Sequence, residues 1–149
     1  TNLYGVGDNF NLKSSHVLPA LVKKFTLAKK KKLKSVEIWG SGSQKREFLN
    51  VNDLASAILF LLNKKIEYDY LNIGSGEQIS IKQLAMTIKK ITKYEGRVFF
   101  NKNFPDGVKK RIVDSKLINK LGWKAKIRLK TGLNEYCSYY INKVMPKER

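Results

Sequence analysis

Cysteine and histidine are nearly absent: Cys137 and His16 are the single examples of each in 149 residues. One thiol excludes an intrachain disulfide and a thiolate zinc site, and one imidazole argues equally against a histidine-rich centre, so no metal site is expected. Acidic residues are scarce too, twelve against thirty Lys and Arg, which leaves a formal net charge of +18. A field of that size attracts polyanions. Arginine contributes little to it: the five are Arg46, Arg97, Arg111, Arg128 and Arg149. Lysine is the poorer reader of base edges and of bidentate phosphate geometry. No aromatic-basic signature of an RNA or DNA module occurs either. The Lys-rich composition therefore reads as solvated faces, with useful positive charge where an anion binds, and no specific nucleic-acid partner is expected. No run of about eighteen apolar residues is present, so no membrane-spanning helix is expected. With 42% hydrophobic residues the chain is long enough for one core and too short for two ordinary domains.

The pattern alternates helices with short strands. Residues 1–15 carry turn formers and no helical period, and read as a loop leaving a strand. Ser14 and Ser15 offer an N-cap for a helix whose inward face is Leu18, Leu21, Val22, Phe25 and Ala28. Lys29 to Lys32 then complement the dipole at its C-terminal end. Ser35–Trp39 reads as a strand stopped by Gly40-Ser41-Gly42, and Lys45 to Val51 as extended. Asn52 or Asp53 should cap a strongly apolar helix, Leu54 to Leu62, expected to be largely buried. Tyr70–Ile73 reads as a second strand and Arg97–Phe100 as a third. Between them Ser80 and Gln83 have the spacing of a capping box, before a helix with Leu84, Ile88 and Ile91 on one face. Phe104-Pro105-Asp106-Gly107 is a turn, Asp114 precedes a short helix ended by Gly122, and Thr131–Lys143 is a final helix. The class is α/β, with few strands for a self-sufficient sheet.

The catalytic inventory is thin. Ser15-His16 are sequence neighbours without an adjacent carboxylate. Neither Gly40-Ser41-Gly42 nor Gly74-Ser75-Gly76 completes a dinucleotide fingerprint, since Lys45 and Ile79 stand where the third glycine belongs. Cys137 falls on an amphipathic helix and reads as core. What remains is a set of anion and ring binders at strand ends and in loops: Lys24, Trp39, Arg46 and Arg111.

Several segments carry a family resemblance: Thr-Asn-Leu-Tyr-Gly (1–5), Asp-Asn-Phe (8–10), Ser-His-Val-Leu-Pro-Ala-Leu (15–21), Ile-Trp-Gly-Ser-Gly (38–42), Arg-Glu-Phe-Leu-Asn-Val-Asn-Asp-Leu (46–54), Asn-Ile-Gly-Ser-Gly (72–76), Pro-Asp-Gly (105–107) and Leu-Gly-Trp (121–123). Together they closely resemble the extended short-chain dehydrogenase/reductase family, and within it the GDP-L-fucose synthase branch of epimerase/reductases. The resemblance covers essentially the whole chain. It implies the C-terminal substrate-binding part of such an enzyme, helices with a few short strands, with the N-terminal Rossmann part missing. That part would hold most of the NADP and the catalytic Tyr-x-x-x-Lys pair, expected upstream of Thr1. Residues 1–14 would end the cofactor-binding region, and 15–149 would be mainly the GDP-sugar-binding subdomain.

Carried over by position, the resemblance implies that Thr1, Asn2 and Leu3 line NADP. It implies that His16 sits near both nicotinamide and sugar and acts as an acid/base in epimerisation. Lys24, Trp39, Arg46, Asp106 and Arg111 would contact the GDP-sugar. The family's partner cysteine lies upstream, so Cys137 is not it. Asn50 and Asn52 replace a usual His and Asp, and Val108-Lys109 a usual Thr-Pro; none of these removes a residue carried over as a ligand. The activity implied is NADPH-dependent conversion of GDP-4-keto-6-deoxy-D-mannose to GDP-L-fucose by a cytoplasmic, homodimeric full-length enzyme, this part binding the GDP-sugar and inactive alone. The alternatives are a part of another nucleotide-sugar epimerase or dehydratase, and a non-catalytic basic nucleic-acid module.

Overall fold

Residues 1–147 are described by the computed structural model; residues 148 and 149 lie outside it. In chain order the elements are β1 (Asn2–Tyr4), α1 (Val17–Lys30), β2 (Ser35–Trp39), β3 (Lys45–Asn50), α2 (Val51–Leu62), β4 (Gln78–Ser80), α3 (Ile81–Thr92), β5 (Arg97–Asn101), β6 (Lys110–Arg111), α4 (Lys116–Lys120) and α5 (Leu129–Tyr139). A π turn, Tyr140–Val144, and a 3₁₀ turn, Met145–Lys147, extend α5. The α/β reading holds, with six described strands in place of three.

Strand β3 is the hub. β1 runs parallel to its second half, with Asn2 opposite Phe48 and Tyr4 opposite Asn50. Its first half takes β4 antiparallel and β6 parallel, the latter placing Arg46 opposite Arg111. A separate parallel pair joins β2 to β5 over five residues, from Ser35 opposite Arg97 to Trp39 opposite Asn101. Along β2 the pleat turns Val36 and Ile38 inward and Trp39 outward, as a period of two requires.

The principal core lies between α1, α3 and α5. Leu18, Leu21, Val22, Phe25 and Ala28 of α1 meet Leu84, Ala85 and Ile88 of α3 and Leu133, Tyr136 and Cys137 of α5. Phe10, in the loop after β1, stacks on Tyr136 at 5.3 Å and tilts against Tyr140 at 4.6 Å. The capping box at Ser80 and Gln83 forms with both its hydrogen bonds. A smaller cluster, Leu49, Ala57, Ile118 and Trp123, sits under α2.

Several expectations need correction. Asn2–Tyr4 is a strand rather than loop, because β3 offers it an edge that local sequence cannot reveal. His16, not a serine, is the N-cap of α1; Ser14 Oγ is instead taken by Asn9 Nδ2 at 3.0 Å. Helix α2 starts at Val51 with Asn50 as cap, its side chain accepting from the Asn52 amide at 2.9 Å. That helix is not largely buried: only Asp53 and Ala57 are, while Leu59 is 63% and Leu62 76% exposed. Tyr70–Ile73 is not a strand. The antiparallel partner of β3 is instead the more polar Gln78–Ser80, hidden in sequence beside the capping box. The last helix begins at Leu129, and its α-helical part stops at Tyr139.

Candidate functional site: two clefts on one strand

The first cleft, of about 480 Å³, gathers Lys24, Trp39, Arg46 and Asp106, four residues from α1, β2, β3 and the loop after β5. Trp39 takes the last outward position of β2 and is 59% exposed. Lys24 Nζ donates to the Glu37 carbonyl at 3.1 Å and lies 5.3 Å from the Trp39 ring centroid. Burial pushes this ammonium below the ordinary lysine range, and nearby Glu37 opposes the shift. Phe104 stacks on Trp39 at 4.5 Å with planes 13° apart, which makes a two-ring platform. Arg46 spends only Nη1 inside the protein, donating to the carbonyls of Lys45 and Val108 at 2.8 Å each. Its remaining guanidinium nitrogens carry no hydrogen bond among the described residues, so a fork for an anion is left open.

Asp106 is engaged within the protein. It accepts from the Ser41 amide, from Ser41 Oγ at 2.7 Å and from Gln44 Nε2 at 2.8 Å. The Ser41 bonds above all hold its carboxyl below the ordinary aspartate range, with Gln44 adding to them. Gly40 makes this possible: it has φ +82°, and a Cβ there would lie 2.6 Å from Asp106 Oδ1. Asp106 thus fastens the loop that carries both Phe104 and the Val108 carbonyl.

The second cleft, of about 410 Å³, brings together Thr1, Asn2, Leu3, His16 and Arg111. Arg111, expected among the substrate contacts, therefore stands with the residues expected at the cofactor. Thr1 Oγ1 and Asn2 Nδ2 both donate to the carbonyl of Glu47, at 3.4 and 2.9 Å. The Glu47 carboxylate is fully buried and accepts from the amides of Gly76 at 2.9 Å and Val113 at 3.1 Å. Exposed His16 carries no side-chain hydrogen bond among the described residues. Helix α5 holds the wall opposite: Tyr136 donates to Asp8 Oδ2 at 2.7 Å, and Tyr139 accepts from the Gly7 amide at 3.3 Å. Burial first, and then Asp8, raise the Tyr136 phenol above its ordinary range.

Gln44, Phe104 and Asp8 were not singled out from sequence. Phe104 had a signal in the aromatic beside Pro105-Asp106-Gly107; Gln44 had none. A Tyr-x-x-x-Lys spacing does occur in the chain, at Tyr139 to Lys143, and lines neither cleft. There the chain widens into its π turn, and the Tyr139 hydroxyl is taken by Gly7. Cys137 is buried, and burial pushes its thiol up to about 12. No helix among the described residues is long and apolar enough to cross a membrane.

Residues 1–74 match the family model for the NAD dependent epimerase/dehydratase family, and the fold is that of the C-terminal part of an extended short-chain dehydrogenase/reductase. The chain is similar to GDP-L-fucose synthases. It is 41% identical over 149 residues to the probable GDP-L-fucose synthase 1 of Oryza sativa subsp. japonica, covering all of this chain and 45% of the relative. With the GDP-L-fucose synthase of Escherichia coli K12 it shares 37% over 150 aligned positions, 95% of this chain and 47% of the relative. In fold it matches the crystal structure of a GDP-L-fucose synthetase from Naegleria fowleri with a TM-score of 0.89 at 26% identity, covering 95% of this chain and 44% of that one. A GDP-D-glycero-L-gluco-heptose synthase from Campylobacter jejuni, crystallised with NADPH, matches at 0.80 and 34%, covering 94% and 50%. The chain spans about half the length of the relatives it matches.

Proposed function

We propose that the Trp39 cleft binds the GDP end of a GDP-linked sugar and that the His16 cleft receives the sugar's reacting carbons beside the nicotinamide of NADP. The observation that carries this reading is the convergence of Lys24, Trp39 and Arg46, from three separate elements, on one cleft that Ser15 also lines, while the next residue, His16, lines the second. The Trp39–Phe104 rings offer a face for a purine or sugar ring, Arg46 a fork for two phosphate oxygens, and Lys24 a point charge beside them. Asp106 contributes through the loop it fastens. Arg111, opposite Arg46 in register, extends the cationic strip towards the second cleft.

The residues present fit one end of a dinucleotide, since exposed Leu3 offers an apolar contact for a ring and Arg111 a cation for a phosphate. When bound, NADPH supplies a hydride for reduction of a 4-keto sugar. Thr1 and Asn2, tied to Glu47, shape the wall against which it rests. Epimerisation beside a ketone removes and redelivers a proton through an enolate, and an imidazole exchanges protons at neutral pH. His16 takes that role in converting GDP-4-keto-6-deoxy-D-mannose to GDP-L-fucose. The GDP moiety is common to the names of the fucose and heptose relatives, so the nucleotide is the part of the substrate the reading constrains most.

Calorimetric titration with GDP tests it. Arg46→Lys keeps the charge and loses the fork, so the dissociation constant should rise about 10- to 100-fold, equivalent to roughly 1.5–3 kcal/mol. Lys120→Ala, on the exposed end of α4, should leave binding unchanged. Equal small effects would show that diffuse charge rather than this cleft holds the nucleotide.

A further inference from the structure

Three helices end in the same way. In each, an amide two or three residues past the last helical residue reaches back to a carbonyl five positions earlier: Leu33 to Ala28 at 2.9 Å, Tyr94 to Lys89 at 3.1 Å and Trp123 to Ile118 at 3.2 Å. This six-residue closure requires a left-handed residue just before the one that reaches back. Helix α4 uses Gly122 there, with φ +105°. Helices α1 and α3 use Lys32 and Lys93, with φ +51° and +53°, and these are the two described non-glycine residues in that region. A lysine at such a position is strained where glycine is not. The fold therefore tolerates strain twice, at two places where glycine would close the helix as well.

Both lysines face one place. The ends of α1 and α3 flank a cleft of about 380 Å³ lined by Lys29, Lys32, Lys93 and Tyr94, with Glu95 its acidic member. Tyr94, 5% exposed, forms a rigid floor and donates to the Leu33 carbonyl at 2.9 Å, which fixes the distance between the two helix ends. Gly96 lets the chain close over that ring. None of the three ammonium groups has an ion pair or hydrogen bond among the described residues. Compensation of helix dipoles accounts for Lys29, Lys30, Lys89 and Lys90 in the last turns. Lys32 and Lys93 lie just past those turns, at the left-handed positions themselves.

We infer that this cleft is a binding site for an anion bearing two or more phosphoryl groups, either free or as a phosphorylated lipid headgroup, separate from the Trp39 and His16 clefts. Three ammonium groups around one cleft offer point charges to clustered phosphates, without the planar fork that a single phosphate or carboxylate selects. Leu33, about half exposed at the rim, adds an apolar contact.

The test exploits the backbone. Lys32→Gly/Lys93→Gly removes two charges and relieves both left-handed residues, so this double variant should melt at the same or a higher temperature than the parent. Amide chemical shifts of the isotope-labelled 149-residue chain, titrated with tripolyphosphate, should move at Lys32, Lys93, Glu95 and Gly96. The double variant should weaken that binding at least ten-fold, whereas Lys65→Gln/Lys120→Gln, with the same loss of charge, should not. Co-sedimentation with phosphatidylcholine vesicles containing phosphatidylinositol 4,5-bisphosphate separates the sources. Vesicle binding lost in the double variant identifies a headgroup, and tripolyphosphate binding alone identifies a free polyphosphate. Shifts confined to other residues, equal weakening in both double variants, or binding of neither probe overturns the site.

Discussion

Helices α1, α3 and α5 bury their apolar side chains against one another, whereas α2, the most apolar of the helices, leaves Ile58, Leu59 and Leu62 exposed. The difference lies in what each face meets. The first three close a shared core through Phe25, Leu84, Ile88, Leu133 and Tyr136, while α2 adds Ala57 to a cluster with three other buried residues and a rim of partly buried ones. Apolar content tells how much a helix stands to gain from burial, and not whether its neighbours supply it. What fastens α2 is polar: Asp53, buried, accepts from the amides of Lys126 and Ile127 at 3.1 and 2.9 Å, and Trp123 donates to Ser56 Oγ at 3.0 Å.

Substitutions sharpen that contrast. Leu84→Ala in the shared core should cost about 2–5 kcal/mol, because the packed surroundings cannot collapse onto the gap. Urea unfolding checks it, and a loss below 1 kcal/mol would mean that the core is loosely packed. Asp53→Ala should cost roughly 1.5–3 kcal/mol through two amides left without their charged acceptor. The decisive readout is hydrogen exchange at Lys126 and Ile127, which should quicken far more than at Leu84. Leu59→Lys should change stability by no more than about 0.5 kcal/mol. If instead it destabilises strongly, or if sedimentation shows the parent chain self-associating and the variant not, then the outer face of α2 is covered in solution and the contrast fails.

Much of this was legible in the residues. The inward faces of α1 and α3 follow from three- and four-residue spacing, the capping box from Ser80 and Gln83, and β2 from its β-prone run before a glycine turn. Those signals are local. The pairings of β1, β4 and β6 with β3 are not, because two- and three-residue strands gain their identity from the edge they meet. The exposure of α2 was hidden for the same reason, since periodicity marks an apolar face without naming its cover. At the site, Lys24, Trp39, Arg46 and Asp106 came together as a group. That Asp106 is spent on Ser41 and Gln44 could not be read, as no spacing connects positions 41, 44 and 106.

Strand β3 leaves one more consequence. Arg46 lines one cleft, and the carbonyl of Glu47, the next residue, holds Thr1 and Asn2 of the other. A single peptide step therefore stands between the two clefts. The buried Glu47 carboxylate, accepting from the amides of Gly76 and Val113, anchors that step. An occupant that pulls on Arg46 works against the same anchor that sets Asn2. By thermodynamic reciprocity, whatever factor the first occupant imposes on the second, the second imposes on the first.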